Sequence, residues 1–179
     1  MKLKQETIMH LTRSQETTYN SFKDFSNNEQ DVMIIKGAAG TGKTTLMKKL
    51  IKYLKKKDIS YSLLAPTGRA VKILQEKSNQ SASTIHKSIY SLIGMSGDLL
   101  NGNIKHIFNI RNNNEESDNH IYLIDESSMI SDLVNISENF SFGTGNLLAD
   151  ILTYTNILSS INNRKIIFIG DDFQLPPIK

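Results

Sequence analysis

The hydrophobic positions of the chain form two patterns, short continuous apolar runs and longer runs with helical spacing. Four runs of strand length, at residues 31–36, 61–65, 121–124 and 165–169, predict β-strands buried on both faces. The clearest helical pattern extends from Lys43 to Lys57, with an inner stripe formed by Leu46, Met47, Leu50, Ile51 and Leu54. Buried strands separated by helices predict a three-layer α/β/α domain with a mostly parallel sheet.

Weaker signals complete this prediction. A first helix starts at Thr12 or Ser14, either of which can cap it, and ends near Phe25. Further helices are predicted over residues 68–77, 84–92, 129–139 and 146–161. The pair Asn101-Gly102 lies between apolar flanks and predicts a hairpin turn. The polar segment 109–119 predicts a mobile loop.

Length and composition limit the class of protein. The chain has 179 residues and no cysteine, which predicts one globular domain without disulfides or thiolate metal sites. No apolar run approaches the roughly 18 residues of a membrane span. The basic N-terminus also lacks the apolar segment of a secretory signal. We therefore expect a cytoplasmic protein.

Positive charge is concentrated in the first third of the chain. Residues 1–60 contain 12 Lys and Arg against 6 Asp and Glu, whereas the whole chain has a net charge of +3. Much of the excess lies in one run: Lys48, Lys49, Lys52, Lys55, Lys56 and Lys57. Helical spacing favours the outer face of the predicted helix for this run. It is either a solvated surface or a surface that attracts polyanions such as nucleic acid.

A glycine-rich segment between the first strand and the next helix matches the phosphate-loop pattern G-x-x-x-x-G-K-[ST] in full. Its glycines allow the backbone to wrap around a phosphate, and the start of the helix attracts an anion. Lys43 is predicted to reach the β- and γ-phosphates, and the Thr44 hydroxyl to bind Mg²⁺. The residues expected to bind the nucleotide are Gly37, Ala38, Ala39, Gly40, Thr41, Gly42, Lys43, Thr44 and Thr45. The alternative is a turn that matches the pattern by chance.

Acidic and amide side chains follow two of the predicted strands. Open α/β sheets bind ligands at the carboxyl ends of their strands. Asp125 is therefore predicted to hold Mg²⁺, and Glu126 to orient and deprotonate an attacking water. Gln174, after the last strand, is predicted to sense the γ-phosphate or that water. The simpler interpretations are an acidic strand end and a turn enforced by Pro176 and Pro177.

Taken in order, the motifs resemble those of the first RecA-like domain of superfamily 1 DNA helicases, in the RecD-like branch (1B). The matching segments are Leu11-Thr12-x-x-Gln15, Gly37–Thr45, APTGRA at 65–70, STIH at 83–86, DESSM at 125–129 and GDDFQLPP at 170–177. APTGRA and QLPP favour the RecD-like branch over the UvrD-like branch. The resemblance implies an ATP- and Mg²⁺-dependent motor that moves along single-stranded DNA and unwinds duplexes, with 5′→3′ polarity.

The resemblance also implies roles for individual residues. Gln15 would read the adenine edge. The groove for single-stranded DNA would be lined by Pro66, Thr67, Gly68, Thr84 and His86. Backbone amides and hydroxyls in such a groove bind phosphates without reading sequence. For His86, a purely structural role is the alternative. Residues 91–119 stand where this family carries an insertion that helps to split the duplex, and the predicted hairpin is a candidate for it.

Members of this family continue beyond GDDFQLPP into a second RecA-like domain, whose arginines reach the γ-phosphate. We expect residues 1–179 to form the first domain alone, with the second provided in cis or by a partner chain. The isolated chain should then bind ATP and hydrolyse it slowly. Two other functions compete with this one: a P-loop NTPase that acts as a nucleotide switch without DNA, and a DNA-binding module with a relic ATP site. No membrane partner is expected.

Overall fold

A computed structural model describes residues 10–98, 103–112, 114–135, 137–157, 159 and 163–171. In chain order its elements are α1 (Arg13–Phe25), β1 (Val32–Lys36), α2 (Lys43–Lys56), β2 (Ser60–Ala65), α3 (Gly68–Ser78), β3 (Ser83–Thr84), α4 (Ile85–Ile89), β4 (Tyr90–Asp98), β5 (Asn103–Ile110), β6 (His120–Ile124), β7 (Phe140–Phe142), α5 (Leu147–Thr155) and β8 (Lys165–Gly170). A 3-10 helix, Ser127–Met129, follows β6. In the described part of the chain, no helix is long and apolar enough to cross a membrane.

Five parallel strands form the central sheet, in the spatial order β1-β8-β6-β2-β3. Helices α1, α2 and α3 pack on one face of this sheet, and α4 and α5 pack on the other. The predicted three-layer α/β/α architecture is therefore confirmed. Because the strands are parallel, their carboxyl ends meet at one edge, and the candidate site lies there.

Alternate residues of the central strand supply the two cores. Ile121 and Leu123 of β6 face α1–α3, whereas Tyr122 and Ile124 face α4 and α5. Both faces are covered, which explains why the strand is an uninterrupted apolar run. The predicted inner stripe of α2 is also confirmed, since all five of its residues are buried: Leu46, Met47, Leu50, Ile51 and Leu54.

A second sheet, with the strand order β4-β5-β7, packs on the side of α4 and α5. Strands β4 and β5 are antiparallel, and Asp98 lies opposite Asn103 at the end of the ladder. This pairing confirms the predicted hairpin. Its turn residues, Asn101 and Gly102, lie outside the described residues. Strand β7 adds to β5 in parallel and was not predicted.

Two predicted helices are shorter than expected. Helix α4 ends at Ile89 instead of continuing to residue 92, because Tyr90 is extended and begins the ladder with β5. Strand pairing here overrides a local helical pattern. Helix α5 ends at Thr155, where Asn156 takes a left-handed conformation that asparagine tolerates and that closes the helix. Of the residues expected to continue this helix, 158, 160 and 161 lie outside the described part.

The predicted helix over residues 129–139 is wrong. Among the described residues of this range, which exclude 136, only Met129 is helical, as the end of the 3-10 helix, and Ile130 is already extended. Residues after it bond to other loops, as when the Asn135 N–H donates to the Gly145 carbonyl at 2.9 Å. Leu133 and Val134, which a helix would have turned inward, are 55% and 63% exposed. The apolar spacing of this segment therefore does not produce a buried helical face.

The mobile loop expected over residues 109–119 stays a prediction, but hydrogen bonds tie the described residues of this segment, which exclude 113, to the rest of the domain. Arg164 donates to the carbonyls of Glu116 at 2.6 Å and Ser117 at 3.2 Å. The Asn114 amide donates to the Tyr122 hydroxyl at 2.7 Å. A buried guanidinium satisfied by loop carbonyls therefore fixes a segment whose composition alone is typical of a loose one.

Candidate functional site

The phosphate-loop sequence forms the turn between β1 and α2. Gly40 and Gly42 have φ values of 79° and 83°, in the left-handed region that disfavours other residues. Gly42 is also the residue that caps α2, so the loop leads directly into the helix N-terminus. The Gly37 N–H donates to the Gly170 carbonyl at 3.1 Å and ties the loop to β8. The backbone therefore has the shape and polarity that bind phosphate.

Lys43 lies inside this loop. Its ammonium donates to the carbonyls of Gly37 and, at 3.1 Å, Ala38. It also lies 3.7 Å from the carboxylate of Asp171, a residue that is only 3% exposed. The cation is thus held beside the loop by a buried counter-charge. The sequence interpretation gave no role to Asp171, although its position directly after β8, beside the end of β1, is the signal that points to it.

Gln15 lies against the back of the phosphate loop. Its amide donates to the Thr41 carbonyl at 2.9 Å and to the Gly42 carbonyl at 3.4 Å. Its carbonyl oxygen accepts from the Thr12 N–H at 3.0 Å and completes the capping box of α1. Gln15 therefore braces the loop, and it would have to exchange these bonds in order to read an adenine.

These residues line a cavity of about 360 Å³ on the α1 side of the loop. The lining includes Thr12, Gln15, Gly37, Thr41, Gly42 and Lys43. Two predicted regions, the start of α1 and the phosphate loop, are thus brought together although they are about 25 positions apart in sequence.

Asp125 and Glu126 follow β6 at the same edge of the sheet. The Asp125 N–H donates to the Leu64 carbonyl at 2.9 Å, which fixes the strand end. Burial raises the pKa of Asp125 above its ordinary value, while the Glu126 N–H and the charge of Lys43 act in the opposite direction. Asp125 is therefore a partly desolvated carboxyl close to the cation of the phosphate loop.

The backbone of Glu126 has a positive φ of 51°. The other non-glycine residues with positive φ in the described chain are Asp58, Asn79 and Asn156. Asp and Asn tolerate this conformation, whereas glutamate rarely adopts it. Backbone strain of this kind clusters at functional positions. The glutamate is held in place by the following 3-10 helix, which packs against the end of β8.

The residues at this edge of the sheet suit Mg²⁺, which also takes phosphate and water as ligands, better than a metal ion coordinated by protein side chains alone. Among the described residues no group of three or more His, Cys, Asp or Glu side chains could hold a metal. Thr44, in the first turn of α2, and Asp125 offer one hydroxyl and one carboxylate. Mg²⁺ usually takes few protein ligands and completes its shell with phosphate and water. Gln174, the predicted γ-phosphate sensor, lies outside the described residues.

The predicted DNA-contacting residues lie at the ends of β2 and β3. The Thr67 hydroxyl caps α3 by accepting from the Ala70 N–H at 3.2 Å, and Gly68 is the first residue of that helix. The Thr84 hydroxyl caps α4 in the same way, from the Lys87 N–H at 3.2 Å. The pairing of Ala65 with Thr84 places the two caps side by side. Each hydroxyl keeps its proton free to donate to an anion.

Pro66 and His86 share a largely apolar cavity of about 330 Å³. The His86 ring lies 4.9 Å from the Phe142 ring, edge to face, and 5.5 Å from the Tyr90 ring. Burial lowers the pKa of His86, so its imidazole is neutral at pH 7. His86 is packed among aromatic rings and also lines this cavity, so its contact with DNA and its structural role both stay predictions.

Sequence reasoning missed the residues that support this cavity. Phe142 is the last residue of β7, a strand that was not expected. Behind it, the fully buried Asp150 accepts from the Tyr90 hydroxyl at 2.6 Å and from the Thr144 hydroxyl at 2.6 Å. The two glycines flanking Thr144 were the available signal, since a Gly-Thr-Gly turn can wrap closely around a buried carboxylate.

Comparison with known proteins gives three kinds of match. A family model described as an AAA domain matches residues 24–138. The RecBCD enzyme subunit RecD of Buchnera aphidicola subsp. Schizaphis graminum is 34% identical over 167 residues, covering 83% of this chain and 23% of that protein. The ATP-dependent RecD2 DNA helicase of Deinococcus radiodurans is 26% identical over 147 residues, covering 82% of this chain and 16% of the relative.

Among solved structures, Pif1 helicase from Candida albicans superposes with a TM-score of 0.58 at 19% identity, covering 96% of this chain and 35% of that one. At this identity the similarity shows a shared fold. The resemblance to RecD-like helicases that the motifs predicted is confirmed by these matches. The chain spans less than a quarter of the length of the two curated relatives.

Proposed function

We propose that this chain, which belongs to the AAA domain family, is the ATP-binding motor domain of a RecD-like DNA helicase. The observation that carries the proposal is the convergence at one sheet edge of the phosphate loop, the buried Asp171 beside Lys43, and the Asp125-Glu126 pair. ATP and Mg²⁺ are the ligands that this set of groups suits.

The nucleotide-binding part of the proposal rests on the loop and its cation. Loop N–H groups and the start of α2 would surround the phosphates, and Lys43 would exchange its carbonyl partners for phosphate oxygens. Thr44 and Asp125 would hold Mg²⁺, which supplies charge neutralisation to the phosphates when bound. We assign the base of the nucleotide to the cavity beside Gln15.

Hydrolysis follows from the same groups. A water positioned by Glu126 attacks the γ-phosphorus, its proton passes to the Glu126 carboxylate, and the bond from phosphorus to the bridging oxygen breaks to leave ADP and phosphate. The positive φ of Glu126 is a strained backbone conformation of the kind that clusters at functional positions, which supports a role for this residue. Gln174 would report the presence of the γ-phosphate. The chain's own residues therefore supply binding and a base.

The DNA-binding part rests on the caps of α3 and α4. Thr67 and Thr84 hydroxyls, with the neighbouring helix N-termini, offer donors to a phosphate backbone. Pro66, Gly68 and His86 line the same region, and the hairpin β4–β5 beside it is the candidate for splitting a duplex. The relatives named as helicases are far longer than this chain, so we also propose that translocation requires a second RecA-like domain.

The direct test is ATP binding and hydrolysis by the chain, with and without single-stranded DNA. We expect tight binding, slow turnover and little stimulation by DNA, because we assign the arginines that stabilise the transition state to the second RecA-like domain. Glu126→Gln should leave binding intact and reduce single-turnover hydrolysis at least about 100-fold, since a general base contributes on that order.

The matched control is Glu138→Gln, which removes the same charge from an exposed loop residue. It should change neither ATP binding nor single-turnover hydrolysis. Normal hydrolysis by the Glu126 variant would remove that residue from the role of base.

Nucleotide binding with no affinity for DNA at low salt would favour the nucleotide switch, and DNA binding without Mg·ATP binding would favour the relic site.

A further inference from the structure

A strongly basic cavity lies on the outer surface of α1 and α2, away from the groups that the proposed reaction uses. It has a volume of about 430 Å³, and its lining consists of Tyr19, Lys23, Lys49, Lys52, Tyr53, Lys56 and Lys57. We refer to its five lysines as the lysine face. Among the described residues no acidic side chain lines this cavity.

Helical geometry explains how the lysines come to share one surface. Lys49, Lys52 and Lys56 are spaced by three and four residues, so they lie on one side of α2, along about 10 Å of the helix. The opposite side of the helix carries the buried stripe. Lys23 faces them from α1, which packs beside α2. Five positive charges therefore surround one concave surface.

Aromatic rings form the floor between these charges. The Tyr19 and Tyr53 rings meet edge to face, with centroids 6.3 Å apart. The Lys23 ammonium lies 5.1 Å from the Tyr19 ring centroid. The Tyr53 hydroxyl accepts from Ser26 and Asn27 at 3.4 and 3.3 Å, which fixes its ring. A rigid aromatic surface is therefore available between cations.

Hydrogen bonds, more than the lysine charges, set the ionisation of Tyr53. Its pKa lies below the ordinary value, chiefly because Ser26 donates to the hydroxyl, with smaller contributions from Asn27 and from the charges of Lys57 and Lys23; burial acts in the opposite direction. The charges of Lys57 and Lys23 add a weaker positive field to these hydrogen bonds.

We propose that the lysine face is a second nucleic-acid site, which binds single-stranded DNA through its phosphates and stacks bases on Tyr19 and Tyr53. Positive charge interleaved with aromatic rings is the combination by which proteins hold single strands without reading their sequence. Duplex DNA keeps its bases paired and offers no faces for stacking. The choice of DNA over other polyanions rests on the proposed function, but the site is separate from the caps of α3 and α4.

Fluorescence anisotropy of a labelled single-stranded oligonucleotide, measured over a range of salt concentrations, tests this site. The variant Lys49→Gln/Lys52→Gln/Lys56→Gln should bind at least about tenfold more weakly at 0.1 M salt. Its salt slope should also fall by about 2, because each phosphate contact to a single strand contributes about 0.7. Tyr19→Ala should weaken binding of the single strand and leave binding of a duplex of equal length unchanged.

The matched control is Lys48→Gln/Lys55→Gln/Lys72→Gln, which removes the same charge from lysines that do not line the cavity. An equal loss of binding in this control would overturn the site, because the effect would then be one of net charge. A lysine-face variant with unchanged affinity and slope would also overturn it. Suppose the lysine-face variant binds normally but Thr84→Val, at the cap of α4, binds more weakly. The proposed function then survives and only the second site fails. If the unaltered chain binds no oligonucleotide, both proposals fail.

Discussion

Single residues decide the shape of the surface next to the candidate DNA groove. Gly143 has a φ of 44°, and a Cβ at this position would lie 2.3 Å from the Oδ2 atom of Asp150. The Thr144 N–H donates to the same carboxylate at 3.2 Å. The absence of a side chain at residue 143 is therefore what lets the turn close over a buried charge and place Phe142 against His86.

Gly143→Ala should destabilise the protein by about 2–4 kcal/mol, from the left-handed backbone and the collision with Asp150. Gly68→Ala is the control, because nothing lies within 4 Å of the Cβ it would add and alanine favours a helix by up to about 1 kcal/mol. Urea unfolding of both variants measures the difference. Equal stability of the two would show that the turn does not depend on glycine.

Functional residues could be predicted from the sequence where their chemistry depends on a local backbone motif. The phosphate loop was found because its glycines and Lys43 occur at fixed spacing, and its left-handed residues are as expected. Asp171, Tyr90 and Asp150 were not found, because each acts through a partner distant in sequence. The Tyr90–Asp150 bond, for example, joins residues 60 positions apart.

At the scale of elements, continuous apolar strands and the striped helix α2 were predicted correctly, since their burial depends on a periodic pattern. Residues 129–139 were predicted wrongly, because their apolar positions have helical spacing although Met129, Leu133 and Val134 are exposed. What directs this segment is its hydrogen bonding to β5 and to the 143–145 turn, which no local pattern encodes.

The beginning of β6, at the edge opposite the candidate site, contains a buried histidine. The His120 ring bonds to the hydroxyls of Ser60 at 2.8 Å and Ser62 at 3.0 Å. Burial lowers the pKa of His120 to about 4, and Arg164 adds to this effect, although the Glu116 carboxylate 3.3 Å away opposes it. The neutral ring is therefore the form that the folded protein accommodates.

This histidine should make stability depend on pH. The unfolded chain takes up a proton near pH 6.5 and the folded chain near pH 4, so stability is full above pH 6.5 and falls by up to about 1.4 kcal/mol per pH unit between these values. His120→Gln should lack this contribution, whereas His10→Gln, at an exposed position, should retain it. The measurement is the free energy of unfolding of the unaltered chain and both variants from pH 7.5 to 4.5. The same dependence on pH in all three proteins would show that His120 does not cause it.

At the scale of the whole molecule, parallel topology is what assembles the site. The phosphate loop, Asp125 and Asp171 meet at one edge of the sheet because the strands that precede them, β1, β6 and β8, are parallel and end there. The sequence predicted this assembly from the order of strands and motifs. It did not predict the second sheet in full, because β7 joins β5 through residues 30 or more positions apart. The lysine face depends on the packing of α1 against α2, which the sequence also left open.

Binding of the nucleotide at Lys43 underlies the whole proposed mechanism, and the shift in melting temperature on adding Mg·ATP measures it. A saturating ligand should stabilise the chain by about 3 kcal/mol, or about 5–10 °C. Lys43→Ala should abolish the shift measured against its own unliganded melting temperature, and Lys48→Ala, on the same helix, should keep it. An equal shift in Lys43→Ala and the unaltered chain would show that the nucleotide does not depend on Lys43 for binding.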